Sequence, residues 1–385
     1  MTSKTTKPNL VNKFLISFLT ILTIVLAVST SFLSYDKFIV RKNENKIDFS
    51  TRNEVRRIIE KNYLNSIPSD KDFQKGELRG FVAALEDPYS EYLVKADGEK
   101  FNDTLNQRYE GVGIRFNQLE VDIVVDKVFK NSPAEKAGVL KGDVLKAVDD
   151  KDTLNQKVTD VADKIRGPKD TVVKLTVSRE GKNQVFSITR QKVVTDLIYL
   201  DFEGDTAIIE ITSFGENLDQ KMAEITKQIK AKSEIKNIIV DLRGDSGGLL
   251  DQAVEVISYF VEPNSIALYE KDKNSQDPIR TSLKSPSLEN YNLAVLVDNY
   301  SASASEIMAG AMRDLKKAKI VGQKTFGKGV VQRLFELNNG DKLKLTIAEW
   351  LTPNGTQINK KGLEVDIQVP LKEDGKKAAL QSFKK

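Results

Sequence analysis

Apolar residues are spaced differently in successive parts of this chain, and the changes in spacing divide it. Phe14 to Tyr35 runs 22 residues without a charge, enough to cross roughly 30 Å of hydrocarbon as a helix. From Asn53 to Leu64 the spacing becomes helical, with Val55, Ile58, Ile59 and Tyr63 on one face. A second helix is predicted near Glu77 to Leu85 and stops at Asp87-Pro88, because proline cannot continue the ladder. Between Tyr109 and Val193 the pattern shortens to strands: GVGIRF, VDIVVDKV, VVKLTVSR and QVFSITR. Two helical pieces interrupt them. Ser132 to Gly138 carries a serine cap, a proline start and a glycine stop, and Thr159 to Arg166 ends at Gly167-Pro168. Beyond Thr195 buried-type strands alternate with helices over Leu218–Lys232, Leu250–Val261 and Ser305–Lys317, the pattern of an α/β sheet. The last fifteen residues, rich in lysine, read as a loose tail.

These patterns predict a multi-domain chain of mixed α/β class. Residues 1–35 form a stub and membrane anchor, 36–108 a helical lead-in or dimerisation element with no visible chemistry, 109–193 a β-domain, 194–370 an α/β core, and 371–385 the tail. Lys4, Lys7 and Lys13 precede the apolar run with no acid among them, so the start is expected in the cytoplasm and everything after Asp36 outside the membrane. The competing reading is a cleavable signal peptide cut near Ala27-Val28-Ser29, which would leave a secreted protein.

Composition narrows the chemistry. The balance of 59 basic to 55 acidic residues is too even, and too interleaved, to argue for nucleic acid. With no cysteine and no histidine, disulfides, thiol nucleophiles, the usual zinc ligands and every Ser-His-Asp arrangement are excluded. A hydrolase of this composition needs a carboxylate or a neutral lysine as its base. No cluster of acids suggests a metal site.

Three segments could carry such chemistry. In Asn299–Asp314 (NYSASASEIMAGAMRD) a serine-rich turn follows a buried strand and opens a helix, where a hydroxyl meets backbone N–H groups and the positive helix end. The same residues also make a capping box, Ser303-x-x-Glu306, which needs no catalysis to explain it. In Lys324–Gln332 (KTFGKGVVQ) Lys328 stands between two glycines, and on an extended strand Gln332 would share its side. Its bland reading is a solvated lysine in a glycine turn. In Val240–Leu250 (VDLRGDSGGLL) a strand runs into Gly247-Gly248, whose amides could serve an oxyanion, bind phosphate or simply turn the chain.

Together the chain resembles the carboxyl-terminal processing, or tail-specific, proteases. The likeness runs from Gly80 to Pro370 through ALEDPYSEYL, YEGVGIRF, NSPAEKAGVLKGDVL, IRGPKDT, DLRGDSGG, SASASEIMAGAMRD, KTFGKGVVQ and TPNGTQI. The resemblance implies a PDZ domain over 109–193 and a serine endopeptidase that needs no cofactor. It assigns Ser303 as nucleophile, Lys328 as general base, Gln332 as the residue orienting that base, and Gly247, Gly248 and Ala304 as the oxyanion hole. Asp314 falls on an acid kept near the site, with a solvated surface aspartate as its alternative. Gly111, Val112, Gly113 and Ile114 fall on the loop that receives a peptide's terminal carboxylate. Substrates with apolar C-termini are expected, with a homodimer partner or an activator protein as further partners, and Arg166 as a contact to the core. Lys328 can act only if burial lowers its pKa, so it is expected to be buried. Ser246 replaces a usual proline, Leu351 a usual aromatic and Val365 a usual proline, none within the Ser–Lys–Gln set. The rival reading is a PDZ scaffold that binds tails without cutting them.

Overall fold

The computed structural model describes residues 49–119, 121–282, 287–316, 318–370 and 375–384. The expected anchor over 14–35 lies outside the described residues, and among those described no helix is long and apolar enough to cross a membrane. The chain divides into two compact units, 1–74 and 75–385. In the first, the helix Ser50–Asn62 has no buried residue and is pinned by Arg56, which bonds Glu60 at 2.8 Å and also Asp70.

In the second unit the core is a six-stranded sheet in the order Ile198–Glu203, Thr206–Ile211, Asn237–Asp241, Asn292–Val297, Lys319–Gly322 and Ile367–Gln368. The first pair is antiparallel and the rest parallel. Its central strands, Thr206–Ile211, Asn237–Asp241 and Asn292–Val297, are near-continuous apolar runs because both faces are covered. Alternate residues explain the layers: Ile238, Val240, Val295 and Val297 face the larger core, where the helices Leu218–Lys230, Leu250–Ile257 and Ala304–Lys316 pack. Ile239, Ala294, Leu296 and Val321 face the other way.

That second face corrects the reading of the last fifteen residues as a loose tail. Gly375–Ser382 is a helix whose Ala379 is fully buried, with Ala378, Leu380 and Phe383 packed on the same cluster. Its lysines leave an apolar face free, and without that face one side of the central strands would lie bare to water. The helix expected to reach Val261 ends at Ile257.

The β-domain is a second sheet, Ile114–Leu119, Asp122–Val128, Val144–Val148, Val172–Arg179 and Lys182–Thr189 in that order, with Lys151–Asp152 added to Val144–Val148. Its short helix Pro133–Ala137 starts where Ser132 accepts the Glu135 N–H at 3.1 Å and ends at Gly138 with φ +90°. A two-stranded stem, Arg108–Gly111 with Gln191–Val194, leads into and out of this domain. A third sheet, not anticipated from the alternating pattern, pairs Lys342–Leu351 with Glu91–Leu93, Ile266–Lys271 and Val330–Glu336. It places a strand from the lead-in segment beside the core.

Candidate active site

Ser303 sits at the turn between the strand Asn292–Val297 and the helix Ala304–Lys316, with φ +55°. A left-handed serine is strained, and such strain persists where the surroundings over-determine it. Four bonds hold the turn. The Ser301 hydroxyl donates to Leu242 O at 2.8 Å, the Ser305 hydroxyl donates to Asp245 O at 3.1 Å, and the Ala302 N–H donates to Asp245 O at 3.1 Å. The Ser303 N–H donates to Glu306 Oε2 at 3.0 Å. Ser301 and Ser305 are fully buried, whereas Ser303 is half-exposed and lines a cavity of about 650 Å³.

Lys328 lines the same cavity. Its backbone is gripped on all sides. The Gly327 carbonyl accepts from Lys360 N–H at 2.8 Å, the Gly329 carbonyl from Trp350 N–H at 3.0 Å, and the Lys328 carbonyl from the indole N–H of the buried Trp350 at 3.1 Å. Gly329 has to be glycine, since a Cβ there would lie 2.5 Å from Asn359 N. Lys328 is half-buried rather than fully enclosed. Desolvation is the largest cause pulling its pKa below the ordinary lysine value, and the ammonium of Lys344 adds to it, while Glu306 and Asp87 act in the opposite sense.

One side chain joins the two halves. Glu306 has no exposed surface and its carboxylate accepts four hydrogen bonds. Oε2 takes Ser303 N–H and Lys328 N–H, at 3.0 and 2.8 Å, and Oε1 takes the Thr325 hydroxyl and Gly327 N–H, at 2.5 and 2.8 Å. A single carboxylate therefore sets the spacing between the serine turn and the lysine loop. The capping-box reading identified the Ser303 contact alone.

Several expectations change. Gln332 lines the cavity, but its amide donates to Thr346 Oγ1 at 3.4 Å, with no bond to Lys328 among the described residues. The four-residue spacing fails because Lys328 precedes the strand and the register slips between Val331 and Gln332, a bulge that turns the glutamine. Gly247 does not offer its N–H to the cavity, because it donates to Asp245 Oδ1 at 2.8 Å. Its value lies in close approach: φ is +101°, and a Cβ would lie 2.6 Å from Ala302 O and 2.8 Å from Ala304 N. Gly248 and Ala304 also line the cavity, and among the described residues their N–H groups have no hydrogen-bond partner. Asp314 does not line it. Its carboxylate accepts the Thr352 hydroxyl at 2.5 Å and Asn354 N–H at 3.0 Å, so it braces the turn of TPNG.

The lead-in segment, expected to carry no chemistry, reaches the site. The Lys328 ammonium lies 5.2 Å from the centre of the Tyr89 ring. Asp87 accepts the Ser90 hydroxyl at 2.5 Å and the Tyr89 N–H at 3.1 Å, and Ser90 Oγ in turn accepts Thr346 N–H at 3.0 Å. Burial pushes the Asp87 carboxyl up, but these bonds and the charge of Lys328 outweigh it and hold it below the ordinary value. Asp245 goes the other way. It is fully buried with Oδ2 unpartnered, and desolvation pushes its pKa to about 7.

A second cavity, of about 400 Å³, is lined by Gly111, Val112, Gly113 and Ile114 together with Ile165 and Arg166. Gly113 has φ +84° and lies so close to Ser132 that a Cβ would overlap it at 2.2 Å. The strand Ile114–Leu119 is an edge strand, paired on one side alone. Arg166 stacks 5.7 Å from the Tyr109 ring and pairs with Asp163 at 3.2 Å. The bond to the core comes instead from Arg115, which bridges Asp126 and Glu210. Among the described residues no group of acids could hold a metal.

Residues 205–369 match the model of peptidase family S41, and residues 124–179 match a PDZ-domain model. A protein of Staphylococcus epidermidis described as a CtpA-like serine protease is 33% identical over 348 residues, 90% of this chain and 70% of that protein. One from Staphylococcus aureus strain COL is 35% identical over 331 residues, 84% of this chain and 66% of that protein. Among solved structures, the photosystem II D1 C-terminal processing protease aligns with a TM-score of 0.52 and 28% identity, over 80% of this chain and 84% of its own. A structure described as an S41 protease of Bacteroides fragilis aligns with a TM-score of 0.60 over 83% of this chain and 92% of its own. At 14% identity that likeness concerns the fold alone.

Proposed function

This chain belongs to the carboxyl-terminal processing proteases of peptidase family S41, serine-type endopeptidases with a PDZ domain, and from that premise we propose that Ser303 is its nucleophile and Lys328 its general base. The observation that carries the reading is the shared cavity, in which a strained serine and a desolvated lysine are tied by one buried carboxylate. Neutral Lys328 takes the Ser303 proton as Oγ attacks the scissile carbonyl. The tetrahedral oxyanion is met by the N–H groups of Gly248 and Ala304. Lys328 then returns the proton to the leaving amine. It next takes a proton from the water that attacks the acyl-enzyme and passes it to Ser303 Oγ as the ester bond breaks, which restores both groups.

The groove between Gly111–Ile114 and Ile165 is suited to an extended chain end added to the edge strand, so substrates with apolar C-termini are the class expected. The uncharged run Phe14–Tyr35 supports a single-pass anchor with the catalytic unit outside the cytoplasm. Protease accessibility of membrane vesicles tests that placement: digestion of the catalytic unit from the cytoplasmic side would refute it.

The catalytic test uses the full chain in detergent and an unstructured protein with an apolar C-terminus. Ser303→Ala and Lys328→Ala are expected to lose at least about 10⁴-fold in kcat with unchanged circular dichroism. Wild-type cleavage by Lys328→Ala removes the proposed base. Tail binding without cleavage by the unmodified chain favours the scaffold.

A further inference from the structure

A second lysine shares the catalytic cavity. Lys344 projects from the strand Lys342–Leu351, and its side chain is 19% exposed. It lines the space that holds Ser303 and Lys328. Its ammonium is fixed from two sides, by Glu91 Oε2 at 3.1 Å and by the Phe101 ring at 5.3 Å. Both partners come from the lead-in segment, so the cation is held in place by elements far away in sequence.

The geometry points to Lys344 as a positioning residue that acts through Lys328, its fixed positive charge keeping the neighbouring amine unprotonated and so able to accept the serine proton. This rests on the Ser303–Lys328 reading above. The charges that act on Lys328 come from three elements: Lys344 on its strand, Glu306 on the helix Ala304–Lys316, and Asp87 ahead of Glu91–Leu93. Two of these are anions and favour the ammonium. Lys344 alone among them opposes protonation, working with desolvation, the larger cause. Asp251, Glu270 and Arg333 also line the cavity without figuring among those charges. Pairing with Glu91 fixes the Lys344 cation without removing it from the cavity wall. Placing one amine beside another cation is an established way to make a lysine act at neutral pH.

The test is the pH dependence of kcat/KM for Lys344→Met, Lys344→Arg and Lys328→Ala, full chain, with one unstructured protein substrate. In Lys344→Met the acid limb is expected at higher pH, with activity on that limb falling about tenfold for each unit it moves, and recovery at alkaline pH. Lys344→Arg restores the wild-type limb. Competitive acylation of the lysines, read by mass spectrometry, gives the protonation of Lys328 independently of activity. It should shift the same way. An equal loss for Lys344→Met at every pH, with Lys328 labelling unmoved, would make Lys344 a strut between strands and overturn the inference. The base assignment is separate: Lys328→Ala inactive at all pH values keeps it, and Lys328→Ala with wild-type activity removes it.

Discussion

Replacing Glu306 with glutamine isolates the bracket between serine and lysine. The carboxylate now serves two donors on each oxygen. An amide has one acceptor, so it can serve one pair only. The favoured orientation turns Nε2 toward Thr325 and Gly327, because the Thr325 hydroxyl can rotate to accept whereas the N–H groups of Ser303 and Lys328 cannot. Gly327 N–H is then stranded in a buried place, at about 1–3 kcal/mol. The remaining bonds lose their charge assistance, roughly half their strength. Together Glu306→Gln should lower stability by about 2–4 kcal/mol. The kinetic effect is larger than a stability loss of that size implies, since a shift of about 1 Å between reacting groups can cost on the order of 100-fold. The expected outcome is a fall in kcat with little change in KM, measured on folded protein below its melting transition. Removing an anion that favours the Lys328 ammonium also moves the acid limb to lower pH, opposite in sign to Lys344→Met. Wild-type kcat and melting temperature in Glu306→Gln would refute the bracket.

Asp245→Asn addresses the buried acid. Its folded pKa of about 7 lies above the ordinary 3.8, so the folded state favours the protonated form. Stability is then complete below the lower value, declines as pH rises toward 7 and is flat above it. The asparagine variant should lack that decline and gain up to about 4 kcal/mol at alkaline pH, read by urea unfolding at several pH values; an unchanged slope would show that the acid ionises freely. Gly247→Ala forces a left-handed alanine, at about 1–2 kcal/mol, and a Cβ into Ala302 O, so kcat should fall by about 10²-fold or more in a peptide-cleavage assay. Asp314→Ala removes the brace on Thr352 and Asn354 and should cost about 1–3 kcal/mol in denaturant titration, with kcat and its pH profile unmoved; a shifted profile would return Asp314 to the catalytic site.

What could be read from the sequence was what local pattern encodes. The strand, serine-rich turn and helix around Ser303 are contiguous, and so are the glycines that flank Lys328. The Ser132 cap and the Gly138 stop are local too, and both appear as expected. What could not be read depends on distant pairing. Glu91 and Lys344 face each other only because two strands 253 residues apart are in register, so neither the third sheet nor the cation in the cavity left a periodic trace. Glu306 was visible as a cap, but its other three donors come from a loop that begins 19 residues later. The Gln332 expectation failed on a bulge, which local spacing does not reveal.

The pairing of Glu91–Leu93 with Lys342–Leu351 also sets an order of events in the life of the chain. Residue 91 leaves the ribosome early and residue 344 late, and at about 5–20 residues per second the interval is on the order of tens of seconds. Through that interval Glu91 waits without Lys344, so the pair that borders the cavity cannot form until the chain is nearly complete. The third sheet, and the cavity it borders, therefore close only after both ends of that unit have been made.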